Sequence, residues 1–260
     1  MDGSTPRHLT VLTGASRGLG RAMAQQLLAP DRILLCLSRH SDDALTQAAA
    51  QRGTHLEQWV QDLTEPIEAA ERLARWLHSL HAPGLASATL INNAGLIPPI
   101  APLPACPPQA LSQALRVGLE APMQLTAAFL RQTQAWVDAG WAGPRKVLNI
   151  SSGLGRRPMA SQAPYCAAKA GLDHFSRCAA LEQAPLPQGA RIVSLAPGVI
   201  DTDMQVQLRG ADPAGFPDRA RFVELQRQGQ LSSPADAAAQ VLAYLARPDF
   251  GAQPVADLRD

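Results

Sequence analysis

Short apolar segments of five to seven residues alternate with longer amphipathic segments along most of the chain. The short segments are rich in Val, Ile and Leu and end near Gly, Asn or Ser, which is typical of buried strands. The predicted strands cover residues 8–13, 32–38, 56–61, 88–92, 146–151, 190–196 and 253–258. The predicted helices between them cover residues 18–29, 42–51, 66–80, 109–137, 164–182 and 235–246.

Repeated strand–helix–strand units with almost continuously apolar strands predict a parallel sheet that is covered on both faces. The fold class is therefore α/β, a doubly wound parallel sheet of about seven strands with helices on both faces. Since no linker divides the chain, we expect residues 1–260 to form a single domain. Residues 96–108, with six prolines, and the mixed segment 201–233 follow strands, where such sheets bind ligands. We expect residues 201–233 to form a substrate loop.

Composition excludes several functional classes. A hydrophobic fraction of 46% with a net charge of +1 excludes a disordered chain, and a pI of about 7.8 does not fit a basic nucleic-acid binder. No apolar run reaches the roughly 18 residues of a membrane helix, and residues 1–7 lack the apolar core of a signal peptide. The four cysteines lack metal-ligand spacing. We expect a cytoplasmic protein without a metal site, a nucleic-acid partner or a membrane partner.

A glycine-rich loop, Thr13-Gly-Ala-Ser-Arg-Gly-Leu-Gly20, joins the first strand to the first helix. In this context glycines allow a tight turn and close approach of the backbone to a pyrophosphate, and the free N–H groups of the helix attract its charge. The loop predicts a Rossmann-like site for a dinucleotide. Its expected contacts are Gly14, Ser16, Arg17, Gly18, Leu19 and Gly20.

The end of the second strand indicates which dinucleotide is preferred. NAD-binding sheets place an acid there for the ribose 2′-hydroxyl, whereas this chain has Leu37-Ser38-Arg39-His40. Arg39, with Arg17 from the glycine loop, is suited to hold a 2′-phosphate. We therefore predict NADPH/NADP+ as the cofactor, with Ser38 and Arg39 among its contacts.

Tyr165 and Lys169 are four residues apart on a predicted helix and so share one face. The chain has only two tyrosines, and among its 23 Lys and Arg residues only Lys146 and Lys169 are lysines. An ammonium near a phenol is expected to lower the pKa of the phenol and to make it a better general acid or base. Ser152, just after the fifth strand, offers a hydroxyl to a substrate oxygen.

Taken together, these motifs resemble those of the short-chain dehydrogenase/reductase family over nearly the whole chain. The motifs are Thr13-Gly-x3-Gly-x-Gly20, Asn92-Asn-Ala-Gly95, Ser152, Tyr165-x3-Lys169 and Pro197-Gly198. The resemblance implies that Tyr165 is the general acid in carbonyl reduction, that Lys169 binds the nicotinamide ribose and tunes Tyr165, and that Ser152 orients the carbonyl. The further cofactor contacts that it implies are Asp62, Leu63, Asn92, Ala94, Gly95, Pro197, Gly198, Val199, Ile200 and Thr202.

Within that family, the second half of the chain is most similar to sepiapterin reductases and to bacterial benzil-type carbonyl reductases. The similarity lies in residues 149–152, 164–169, 196–205 and 255–260. In sepiapterin reductases an aspartate in the last segment anchors the pterin, which implies Asp257 as a substrate residue and Asp260 as the alternative. An acid on a frayed terminus explains Asp257 equally well.

One position departs from the family pattern, because Gly118 occupies a helical slot where the family usually has the Asn of a proton relay. The resemblance implies an NADPH-dependent reductase of a small-molecule ketone or diketone that forms a homodimer or homotetramer. A non-catalytic NADPH-binding regulator and a reductase of 3-oxoacyl thioesters are the alternatives. For the second of these, Arg156 and Arg157 offer positive charge beside Ser152.

Overall fold

The computed structural model describes residues 7–260, in which seven parallel strands form one sheet. The prediction that residues 1–6 belong to the same domain lies outside the described part. The strands are β1 Arg7–Thr13, β2 Arg32–Ser38, β3 His55–Val60, β4 Leu85–Asn92, β5 Arg145–Ile150, β6 Arg191–Ala196 and β7 Val255–Asp257. Their order, β3-β2-β1-β4-β5-β6-β7, confirms the predicted doubly wound sheet and reverses direction between β1 and β4.

Nine helices occupy the two faces and the carboxyl edge of the sheet in the described residues. They are α1 Gly18–Gln26, α2 Asp43–Gln51, α3 Pro66–Ser79, α4 Pro108–Leu115, α5 Ala121–Asp138, α6 Ala163–Gln183, α7 Asp203–Gly210, α8 Arg219–Arg227 and α9 Pro234–Ala246. One apolar core packs α3, α5 and α6 against the sheet, and a second packs α1, α2 and α9 against the other face. Burial on both faces explains why the strands are almost uniformly apolar.

Three boundaries differ from the predictions for physical reasons. β4 begins at Leu85 rather than at residue 88, because a register shift lets Arg7 pair with Leu85 and His8 with Ser87. α1 ends at Gln26, three residues earlier than predicted, before Pro30, whose preceding residue disfavours helix. The predicted helix 109–137 is continuous but contains a π turn at Arg116–Glu120.

The proline-rich loop, residues 96–108, and the predicted substrate loop, residues 201–233, lie at the carboxyl edge of the sheet and pack on each other. Within residues 201–233 the structure forms α7 and α8, which the mixed sequence did not predict. A small apolar cluster of Leu208, Phe216 and Phe222 contacts Ile97 and Ile100 of the proline-rich loop. Both segments therefore border the edge at which the candidate site lies.

Candidate active site

The glycine loop is shaped by contacts that only glycine permits. Gly14 has a φ of +73°, which side chains rarely adopt, and a Cβ atom there would lie 2.9 Å from Ala94 Cα. A Cβ atom on Gly20 would collide with the Gly14 carbonyl oxygen and the Asn93 side chain. Because no side chain of residues 7–260 caps α1, its first N–H groups remain available to an anion. The loop therefore fits a pyrophosphate.

Asn93 fastens the end of β4 to this loop. Its side-chain amide donates to the carbonyl oxygens of Thr13 (3.0 Å) and Gly14 (3.2 Å). In return, the Thr13 hydroxyl accepts hydrogen bonds from the backbone N–H groups of Asn93 and Ala94, both at 3.0 Å. Asn93 belongs to the motif Asn92-Asn-Ala-Gly95, but the sequence alone did not indicate that its side chain holds the glycine loop.

Asn92, which was predicted to contact the adenosine, directs its side chain into the protein interior instead. It is 3% exposed, and its amide donates to Thr126 Oγ1 (3.1 Å) and to Asn149 Oδ1 (2.8 Å). A contact between Asn92 and the cofactor stays a prediction, and it would have to be made by the backbone, because the side chain is engaged in the interior. Leu63 is also buried in the core, whereas Asp62 is exposed and accepts a hydrogen bond from Thr64 N–H (2.9 Å).

The end of β2 borders an open cavity of about 420 Å³. Its lining residues are Ser16, Arg17, Arg21, His40, Ser41, Asp42, Asp43 and Ala44. Arg39 is exposed but does not line this cavity, and the Ser38 hydroxyl accepts a hydrogen bond from Ala15 N–H (2.8 Å). Arg21, one helical turn after Arg17, was missed by sequence reasoning, although its i+4 spacing could have indicated it.

Both arginines of this cavity already have acidic partners. Arg17 pairs with Asp203 at 3.1 Å, and more than half of each side chain is exposed. Arg21 Nε lies 2.5 Å from Asp42 Oδ2, while Asp42 Oδ1 caps α2. An exposed pair such as Arg17–Asp203 contributes little free energy, so an incoming dianion can displace Asp203.

The chain after β6 folds back onto the glycine loop. Gly198 adopts a φ of +85°, and Val199 and Ile200 are held by Ser232, whose N–H donates to Val199 O (2.9 Å). Thr202 Cγ2 would lie 3.3 Å from a Cβ atom on Gly18. The predicted contacts from Pro197 to Thr202 therefore lie beside the predicted pyrophosphate loop.

α6 brings Tyr165 and Lys169 to the carboxyl end of β5, beside Ser152. The two side chains are 8% and 5% exposed, and Lys169 Nζ lies 5.8 Å from the centre of the Tyr165 ring. Lys169 donates to Ile150 O at 2.7 Å, and Nζ is 3.9 Å from a Cβ position on Gly95. The structure thus unites the three predicted catalytic residues at the end of β4 and β5.

Burial reverses the expected direction of the tyrosine pKa. Desolvation raises the pKa of Tyr165 to about 12, and the hydrogen bond with Ser152 only partly opposes it. The predicted net lowering of the Tyr165 pKa is wrong for this structure, because desolvation outweighs the groups that favour the phenolate. Desolvation lowers the pKa of Lys169 to about 8, whereas the charge of Asp173 acts to raise it. Near neutral pH the site therefore holds a protonated phenol and an ammonium.

Asp173, one turn beyond Lys169, is the centre of a buried polar network. Its Oδ1 accepts hydrogen bonds from the hydroxyls of Ser151 (2.5 Å) and Ser194 (2.7 Å). Its Oδ2 lies 3.5 Å from Arg156 Nε, and the residue is 1% exposed. This carboxylate was not among the predicted site residues, because its partners come from three separate segments.

Asp257, the predicted substrate anchor, ends β7 and lies at the expected edge of the sheet. Its Oδ1 accepts from Arg259 Nε (2.8 Å), its Oδ2 from Arg259 Nη2 (2.5 Å), and Arg156 Nη2 is 3.8 Å away. The Arg259 guanidinium holds the pKa of Asp257 below its usual value. Both carboxylate oxygens are thus engaged by Arg259. Asp260, the alternative, is exposed.

Gly118 lies in the π turn between α4 and α5, where it faces α6. A Cβ atom at this position would lie 3.0 Å from Ala168 Cβ, next to Lys169. The glycine therefore allows α6 to approach closely. This packing role gives a physical reason for the departure from the family pattern.

Other parts of the described chain do not add to this site. A larger open cavity of about 760 Å³ lies at the amino ends of β1, β2 and β4, far from Tyr165 along the strands. Its lining residues are Arg7, Pro30, Asp31, Ile33, Leu80, His81, Gly84 and Leu85. None of the helices within residues 7–260 is long and apolar enough to cross a membrane.

Comparisons with known proteins agree with the geometry. The family model of short chain dehydrogenases matches residues 8–212. The benzil reductase ((S)-benzoin forming) of Bacillus cereus is 33% identical, over 92% of this chain and 94% of that protein. The sepiapterin reductase of Bos taurus is 32% identical, over 95% and 93%. The crystal structure of a short-chain dehydrogenase/reductase from Burkholderia vietnamiensis is 32% identical, covers 99% of each chain and has a TM-score of 0.65.

Proposed function

The chain belongs to the short-chain dehydrogenase family of oxidoreductases, and on that premise we propose that it reduces ketones and 1,2-diketones with NADPH. The observation that carries this proposal is the burial of Tyr165 beside Ser152. Because its pKa lies near 12, Tyr165 keeps its proton at neutral pH, as a general acid for reduction must.

Each catalytic residue has a distinct task in this proposal. When bound, the nicotinamide supplies the hydride that the carbonyl carbon receives. Ser152 donates a hydrogen bond to the carbonyl oxygen, and Tyr165 transfers its proton to that oxygen as negative charge develops. The Lys169 ammonium, held by Ile150 O, supports the resulting phenolate.

The preference for NADPH rests on the charges around the end of β2. Arg39 is exposed beside His40, and Arg17 and Arg21 line the adjoining cavity. Of the two acids in that cavity, Asp42 is held by Arg21 and by the start of α2, whereas Asp43 is exposed. Arg17, Arg21 and Arg39 carry three positive charges against the two negative charges of Asp42 and Asp43, so a 2′-phosphate that displaces Asp203 would meet a small positive excess.

Exchange of Arg39 tests this preference. In Arg39→Ala, we expect the ratio of kcat/KM for NADPH over NADH to fall at least about tenfold, because a charge-assisted phosphate contact is lost. The matched control is Arg75→Ala, another exposed arginine, which pairs with Glu71 on α3. An unchanged ratio in Arg39→Ala would contradict the role of Arg39.

A panel of carbonyl compounds tests the reaction itself. NADPH oxidation is followed with benzil, sepiapterin and a 3-oxoacyl thioester, and we expect the largest kcat/KM with the diketone. Preference for the thioester would favour the 3-oxoacyl reductase. NADPH binding without oxidation across the panel would favour a non-catalytic regulator with this fold.

We also propose that the protein forms a dimer or tetramer through its long helices. Met123 on α5 and Leu181 on α6 are 42% and 75% exposed, and a partner packed on these two helices would cover them. Light scattering of the wild type and of Leu181→Glu measures the assembly, and a monomeric wild type would contradict this proposal.

A further inference from the structure

Two arginines converge on the turn that follows the catalytic serine. Arg157 Nη2 lies 2.9 Å, and Arg259 Nη2 lies 3.0 Å, from the position that a Cβ atom would occupy on Gly153. Gly153 directly follows Ser152. Both guanidinium groups therefore lie beside the residue next to the serine whose hydroxyl would hold the substrate oxygen. The two arginines come from distant parts of the chain, the segment after β5 and the segment after β7.

Arg259 also contacts the second segment that frames the site. Its Cδ atom lies 3.9 Å from a Cβ position on Gly198, in the turn after β6. Its side chain thus connects the turn after β6 with the turn after β5. The arginines therefore lie at the carboxyl edge of the sheet, next to the place where the carbonyl substrate would bind.

The charges in this cluster do not all have partners. Arg259 is paired with Asp257, and Arg156 lies between Asp173 and Asp257. Within residues 7–260 no carboxylate lies within 4.0 Å of the Arg157 guanidinium. Asp260 is exposed and acts on Arg259 only over a longer distance.

We propose that Arg157, with Arg259 beside it, binds a carboxylate on the substrate. This inference rests on the proposed carbonyl reduction and names its substrate class, ketones that also carry a carboxylate. A guanidinium donates two parallel hydrogen bonds to a carboxylate, so it fixes both the position and the orientation of the substrate. Asp257 acts here as a positioning residue, because it holds Arg259 against Gly153 rather than meeting the substrate.

The experiment compares two substrates of the same shape that differ in charge, 4-oxocyclohexanecarboxylate and its carboxamide. With the wild type and NADPH, we expect kcat/KM to be at least about tenfold higher for the acid. Arg157→Gln should remove most of this advantage, mainly through KM, and should leave kcat/KM for the amide and for benzil within about twofold. Arg157→Lys should retain part of the advantage. Arg75→Gln is the control for a lost surface charge.

Two results would overturn the proposal. One is a wild type that uses the amide as well as the acid, and the other is a loss in Arg157→Gln that is equal for both substrates, as a merely structural role predicts. If neither ring ketone is reduced, calorimetric titration of cyclohexanecarboxylate into the protein with NADP+ decides. Binding that Arg157→Gln abolishes supports the subsite, and no binding to the wild type overturns it.

Activity with benzil, which has no carboxylate, distinguishes a failure of the carboxylate subsite from a failure of the proposed carbonyl reduction. Reduction of benzil without discrimination between the acid and the amide would reject the carboxylate subsite and leave carbonyl reduction intact. Carboxylate binding that depends on Arg157, with no ketone reduced, would reject carbonyl reduction and leave the subsite intact.

Discussion

The glycine loop and the catalytic helix meet at the same edge of the sheet, but they are built from different kinds of groups. The loop is shaped by backbone atoms, with Thr13 and Asn93 holding the main chain and with exposed arginines around it. The catalytic half consists of buried ionisable side chains, Tyr165, Lys169 and Asp173. We infer that the loop is sensitive to added volume, whereas the catalytic half is sensitive to a change in charge.

The largest effect is expected from Tyr165→Phe, which removes the proton donor but not the ring. We expect kcat for ketone reduction to fall at least about 10²-fold, because a positioned general acid contributes on that order. The Kd for NADPH, measured by fluorescence titration, should stay within about twofold. If kcat is retained, the proposed mechanism is wrong. If NADPH binding is lost, a change in the catalytic half also disturbs the glycine loop, and the two halves do not act independently.

Gly20→Ala tests the loop with a single methyl group. Since the new Cβ atom would meet the Gly14 carbonyl and the Asn93 amide, the backbone must shift, and we expect a loss of about 1–3 kcal/mol in the free energy of unfolding. NADPH affinity should fall with it. Gly210→Ala, at the end of α7 with no atom near its Cβ position, is the control. Equal stability of both variants would contradict the tight contact.

Asp173→Asn tests charge in the catalytic half, because Asn keeps an oxygen acceptor for Ser151 and Ser194. The pKa of Lys169 is about 8, so the ammonium is present below that pH and is lost above it. We expect wild-type kcat/KM for reduction to decline above pH 8. In Asp173→Asn the decline should begin closer to neutral pH, because the charge that raises the lysine pKa is gone.

The control for that profile is Glu71→Gln, which removes an exposed carboxylate on α3. Its pH profile should match that of the wild type. If kcat/KM of Asp173→Asn is lowered equally at every pH, Asp173 has a structural role. That result would contradict its proposed influence on the pKa of Lys169.

The smallest effect is expected from Gly118→Asn. The tight approach to Ala168 opposes the side chain, while loss of a helical glycine favours it by up to about 1 kcal/mol, so we expect a small change in melting temperature. We expect kcat to stay within about twofold. Gly118→Ala separates the methyl from the amide. A large gain in kcat for the Asn variant alone would indicate an impaired proton relay.

Features that depend on neighbours in sequence were predictable. The glycine loop, the pair Tyr165 and Lys169 and the succession of strands and helices along the chain follow from local spacing and periodicity. Asp173 was not predictable, because Ser151, Ser194 and Arg156 meet it only after three segments have packed. The pKa direction of Tyr165 failed for a related reason, since the penalty of burial depends on what covers the ring.

Ion pairs between residues that are far apart in the sequence were equally unpredictable. Asp257 was predicted as a substrate anchor from family resemblance, and that role stays a prediction. However, its ion pair with Arg156, which is distant in the sequence, depends on the last strand lying beside β6, whereas Arg259 is only two residues away. The start of β4 was misjudged because a shift in register cannot be read from the apolar pattern of one strand.

The hydrogen bond from Ala15 N–H to the Ser38 hydroxyl limits how cofactor selectivity can be redesigned. Position 38 already serves the glycine loop, so a residue without an acceptor at this place would loosen the pyrophosphate site for either dinucleotide. Arg39 is exposed, and its side chain does not hold the glycine loop. A designer who seeks NADH use should therefore begin with an acid at position 39 and leave Ser38 unchanged.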